Sequence, residues 1–207
     1  MRPLVRLLRL VVGAAILAVL SLAHAPGRRG CVVSALATRL SDGRLKDRRT
    51  APADRTIDRS VTLDRLLAPG DDAGRFDPSR GAEIEAWVVD VKVGGWEGQN
   101  CFALDADGRD THIDFAATPT APDTLRVIAE VTPWWRDEVR KRGVDWSTAA
   151  LRRALVGRRV RVRGWLFYDA HHARETMHGD PADTLGRRNW RATAWEIHPA
   201  TAIGVVP

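Results

Sequence analysis

The chain has 207 residues, 44% hydrophobic and 28% charged, with a formal net charge of +6. That excess lies near the N-terminus: residues 1–25 carry three arginines and no acid, residues 26–80 hold 12 Lys or Arg against 8 Asp or Glu, and residues 81–207 hold 17 against 18. The near-neutral C-terminal part argues against a nucleic-acid footprint spread over a whole domain, and two cysteines fall short of a zinc ribbon.

Residues 1–23 read as an export signal. Arg2, Arg6 and Arg9 form a positive start, and an uncharged apolar run follows from Leu10 to Leu22. Small residues suit cleavage after Ala23 or Ala25, and Pro26 disfavours the second. The run is shorter than the ~20 residues of an easy membrane span, which favours a cleaved signal over the alternative of an uncleaved anchor. The expected location is the periplasm or the cell exterior. There Cys31 and Cys101 can form one disulfide.

Residues 24–80 read as a flexible basic linker or tail, because charge alternates in sign and little is available to bury. A short element is expected at 61–67, stopped by Ala68-Pro69-Gly70. The compact domain is expected over 81–207. Its first strand, 83–92, alternates through Ile84, Ala86 and Val88. The doubled Val88-Val89 then breaks the period, as at a β-bulge.

A hairpin is predicted next, with strands at 101–105 and 111–115 around Asp107-Gly108. A further strand follows at 125–131. Thr132 and Pro133 then open a short helix that ends at Gly143. A second helix begins at Asp145 or Ser147, carries Leu151 and Leu155 on one face, and stops at Gly157. An Arg/Val strand occupies 158–168 and the last strand 190–199. The order is strands, helix, two strands. It predicts a mainly β domain with one or two short helices, folded as a five- to six-stranded OB-like Greek-key barrel.

Five stretches carry a likeness: Asp-Thr-His-Ile at 110–113, Glu-Val-Thr-Pro at 130–133, Val-Asp-Trp-Ser-Thr at 144–148, Gly-Trp-Leu-Phe-Tyr-Asp at 164–169 and Trp-Arg-Ala-Thr-Ala-Trp-Glu-Ile-His-Pro at 190–199. Over about residues 83–203 the chain resembles a group of uncharacterised exported bacterial proteins with an OB-like core. The likeness implies the fold and supplies no catalytic residues.

Two constellations carry chemistry. On the Arg/Val strand Arg159, Arg161, Arg163, Trp165 and Phe167 alternate with Val160, Val162, Gly164 and Leu166, so the basic and aromatic set is expected outside. Guanidinium and indole groups hold phosphate and stack on bases or sugars. Arg161, Arg163, Trp165, Arg191 and the loop residue Trp96 are the ligand-binding candidates. The bland alternative is that these arginines pair with Glu83, Glu85 or Glu196, or lie on tryptophans.

The second constellation follows from register. If 111–116 pairs antiparallel with 126–131, His112 faces Glu130, with Asp114 on the same side. His198 ends the last strand, and Asp169, His171 and His172 end the one before. Imidazole and carboxylate together bind a divalent metal or act as acid and base, so His112, Glu130 and His198 are the catalytic candidates. Here the alternative is a pair that merely pins a strand.

The expected function is a non-catalytic module that binds an anionic or polar polymer, nucleic acid or glycan, through the Arg/Trp set. The rivals are a metal-assisted hydrolase or nuclease built on the His/Glu set, and an envelope scaffold that binds another protein.

Overall fold

A computed structural model of the chain describes residues 42–177 and 189–207. The export signal at 1–23, Cys31 and residues 178–188 of the connection between the last two strands lie outside the described residues. Cys101 is disulfide-bonded. Among the described residues no helix is long and apolar enough to cross a membrane.

Five strands form a closed barrel: β1 (Gly81–Val93), β2 (Thr111–Ala116), β3 (Val127–Val131), β4 (Arg159–Tyr168) and β5 (Trp195–Val205). The order round the barrel is β1-β2-β3-β5-β4, with β3 and β5 parallel and the other neighbours antiparallel. This is the OB-like arrangement. Among the described residues four short α-helices accompany it: α1 (Gly43–Lys46), α2 (Leu63–Leu67), α3 (Pro133–Arg140) and α4 (Thr148–Leu155).

Local chemistry explains the elements. Ala82, Ile84, Ala86 and Val88 point into the core from β1. The register then slips between Val88 and Asp90 at the doubled valine, after which Val91 points in. Such a bulge bends a long strand so that it serves two neighbours. Thr132 accepts a hydrogen bond from the Trp135 backbone N–H at the start of α3, and Ser147 does the same for Ala150 at α4. Leu151 and Leu155 of α4 are buried in the barrel core. Gly157 leaves α4 with φ +75°, a conformation that costs glycine little. Gly164 lies where β4 crosses β5; a Cβ there would run into the Pro199 carbonyl and the Ile197 side chain.

Three expectations are corrected. First, the stretch read as a flexible tail is packed on the barrel from residue 42 onward. Val61, Leu66 and Phe76 join the core. Asp72 accepts hydrogen bonds from Thr193 Oγ1 and the Ala194 N–H, and its carbonyl accepts one from Trp195 Nε1. A few well-spaced apolar side chains and side chain-to-backbone bonds suffice to dock a stretch that is mostly polar. Second, residues 101–105 form no strand. Cys101 and Phe102 take positive φ, Phe102 and Leu104 are exposed, and β2 pairs directly with β1. Third, the last strand begins at Trp195 rather than Trp190 and runs on to Val205.

Candidate functional site

The structure largely occupies the Arg/Trp face with the chain's own groups. Arg161 Nη2 lies 2.5 Å from Glu85 Oε1, its cross-strand partner on β1. Arg163 donates to the Pro52 carbonyl at 2.7 Å and pairs with Asp54 at the same distance. Trp165 Nε1 donates to the Thr50 carbonyl at 2.6 Å, and the Arg48 guanidinium stacks 4.4 Å from its ring. Residues 48–54 thus lie along this face. Phe167, expected outside, is buried.

Arg191 is 0% exposed, so it offers nothing to an external ligand. It pairs with Glu196 at 2.8 Å and donates to the Thr193 carbonyl. It does so because it precedes β5 and turns beneath the surface. Of the five ligand-binding candidates, Trp96 is exposed, and Arg161 is exposed but paired with Glu85, while Arg163 and Trp165 are half-buried. A groove of about 340 Å³ lies beside Glu83, Arg161, Arg163 and residues 202–207, but both its arginines are engaged.

The second constellation does assemble. The register places Thr111 opposite Val131 and His112 opposite Glu130, as the spacing predicts. Ile113, Phe115, Ala129, Val131 and Ile197 belong to the barrel core. Alternation therefore puts His112, Asp114, Glu130, Glu196 and His198 together on the outer side of β2, β3 and β5. That side, flanked by the β1–β2 and β4–β5 connections, is where OB folds commonly hold ligands.

Glu130 is the centre. His112 Nδ1 lies 3.3 Å from its Oε1, and His198 Nδ1 lies 2.9 Å from its Oε2. His198 Nδ1 is also 3.3 Å from Glu196 Oε2, while its Nε2 is 3.6 Å from Asp110 Oδ2. His112 Nε2 meets Asp114 Oδ1 at 3.3 Å. At the rim, Lys92 and Arg126 pair with Asp114 at 3.1 and 3.0 Å. A further pair, His172 Nδ1 and Asp169 Oδ2 at 2.6 Å, shares the Trp190 ring with His112.

Asp110, Glu130 and His198 each bring one ligand atom to within 4.8 Å of the other two. All three are buried, and Asp110 Oδ1 and His198 Nε2 have no hydrogen-bond partner among the described residues. One imidazole and two carboxylates suit a divalent ion such as Zn²⁺ or Mn²⁺.

The electrostatics are those of a tightly packed set of opposite charges. Burial opposes charge on both histidines, yet the carboxylates prevail. Asp114 and Glu130 raise His112 to about 9; Glu130, Glu196 and Asp110 raise His198 to about 10. Glu130 is held well below its ordinary value despite its burial, chiefly by His198 and His112. Burial, followed by repulsion from Glu130, pushes Asp110 up to about 7.

Sequence reasoning brings His112, Glu130 and His198 to one place and misses Asp110 and Glu196 as members, and Lys46 as a neighbour whose Nζ pairs with Glu97 at 2.8 Å. Glu196 lies two residues from His198, so strand alternation could have found it. Asp110 sits one residue before β2, where alternation says nothing. Lys46 comes from the stretch misread as a tail. No protein-family model matches the chain, and a search of curated proteins finds no match.

Proposed function

We propose that the protein is a metal-assisted hydrolase of phosphodiesters, with Asp110, Glu130 and His198 as the metal ligands. The observation that carries this is the approach of three ligand atoms to within 4.8 Å on the ligand-binding side of an OB-like barrel, with buried polar atoms left without partners. A bound divalent ion would supply Lewis acidity and lower the pKa of a coordinated water. His112 is the proton donor in this scheme. Asp114 and Glu130 keep it charged at neutral pH, and its side chain reaches the rim at 10% exposure. Lys92 and Arg126 beside Asp114 favour the approach of an anionic substrate. The disulfide at Cys101 accords with an exported protein, since such bonds persist in oxidising compartments.

The polymer-binding module has less support, because four of its five contact residues are paired or buried within the chain. The test is titration with Zn²⁺ and Mn²⁺ by calorimetry, followed by hydrolysis of bis(p-nitrophenyl) phosphate and single-stranded DNA. Turnover is expected to need the metal. His112→Gln should lower turnover by about 10²- to 10⁴-fold while metal affinity is retained. Wild-type protein that binds neither metal would remove the proposal. Binding and stacking on DNA without turnover, lost in Trp96→Ala, would restore the module.

A further inference from the structure

A cation of the chain's own lies beside the cluster. Lys46 ends the single-turn helix α1, and its side chain is only 10% exposed. Its Nζ lies 2.8 Å from Glu97 Oε2 and 5.4 Å from the centre of the Phe167 ring. The edge of that ring in turn meets the His198 ring, 5.5 Å between centres. Glu97 belongs to the β1–β2 connection, the same connection that ends at Asp110. Burial alone would strip the proton from this amine, but Glu130, Glu97, Glu196 and Asp169 hold it firmly charged. A buried ammonium persists only where carboxylates offset its desolvation, and here one of those carboxylates is the central metal ligand.

We infer that Lys46 competes with the metal for the negative charge of the Asp110, Glu130 and His198 site, so that a divalent ion is held fully only when the Gly43–Lys46 turn moves away. The inference rests on the metal site proposed above and adds its control. Two features make α1 suited to move. One turn of helix has little stability of its own, and the turn opens on Gly43, a weak helix former. A divalent ion placed beside Glu130 would repel the ammonium and draw off the charge that keeps it buried.

The experiment uses the full chain and Mn²⁺ alone. Calorimetric affinity is compared for wild type and Lys46→Met, which keeps the length of the side chain and removes the charge. Competition predicts an affinity higher on the order of tenfold for the variant. In parallel, acylation of Lys46 by an N-hydroxysuccinimide ester, followed by mass spectrometry on wild type, should be slow in EDTA and faster with saturating Mn²⁺. This second measurement needs no variant and stands even if Lys46→Met folds poorly. Unchanged or weaker affinity in a folded variant, or labelling that Mn²⁺ leaves unaltered, overturns the competition and leaves the metal site standing. Absence of Mn²⁺ binding to both proteins removes the two together.

Discussion

At the scale of single residues, two side chains of similar prominence in the sequence have opposite fates. His112 is legible because two facts suffice: its strand pairs with the next one, and antiparallel register sets it against Glu130. Arg191 is misplaced because strand alternation is extended to a residue that precedes the strand. It lies before β5, fully buried, with its guanidinium against Glu196 and the Thr193 carbonyl. A planar guanidinium with five donors suits such a buried role. Removing it leaves Glu196 buried without its nearest cation, and breaking a buried pair from one side costs about 3–5 kcal/mol. Arg191→Ala is therefore expected to lower the unfolding free energy in urea by that order, whatever ligand is added. A variant as stable as wild type but weaker in polymer binding would return Arg191 to the surface role first expected of it.

At the scale of elements, what is legible is what local chemistry dictates. The bulge at Val88-Val89, the Thr132-Pro133 helix start, the Gly157 stop and the Arg/Val strand all rest on contacts within a few residues. What is not legible depends on distant partners. Residues 101–105 alternate well enough for a strand, but the long β1 already pairs with β2. The Trp165 indole could stack on a base, yet it donates to Thr50, 115 residues away in sequence. The β4–β5 crossing gives a test at this scale. At Gly164 the two strands approach so closely that a methyl group meets the Pro199 carbonyl, and backbone cannot give way as a flexible side chain does. Gly164→Ala is expected to destabilise the barrel by about 1–3 kcal/mol, the range for overpacking, read as a lower urea midpoint. Gly95→Ala, where the added Cβ meets nothing within 4 Å, is the control expected to stay near wild type.

At the scale of the whole molecule, the barrel brings to one face charges that the sequence scatters from residue 46 to residue 198, and their titration should govern stability. In the metal-free protein, Asp110, His112 and His198 bind protons more tightly when folded, at about 7, 9 and 10. A group whose folded pKa is raised stabilises the fold fully below its unfolded pKa, and that contribution is lost as pH rises through the folded value. The loss begins with Asp110 above its ordinary 3.8 and deepens as the histidines pass their ordinary 6.5 toward about 10. Glu130, Asp114 and Asp169 are shifted downward, so their contribution is present above their ordinary values of 4.5 and 3.8 and disappears as pH falls. The two limbs place the optimum of the metal-free protein well on the acid side of neutrality, near the ordinary carboxylate values of 3.8 to 4.5, because Asp110 already loses its share above that range. A divalent ion must take His198 and Asp110 in their deprotonated forms, so it releases protons and binds more tightly as pH rises. Thermal unfolding in EDTA should therefore show a midpoint that falls from pH 6 to pH 10, and saturating Zn²⁺ should flatten or reverse that fall. An EDTA profile level across this interval would mean the histidines carry no extra proton in the fold. An alkaline limb that Zn²⁺ leaves untouched would mean the face binds no metal, and the cluster would then be a set of ion pairs holding β2, β3 and β5 together.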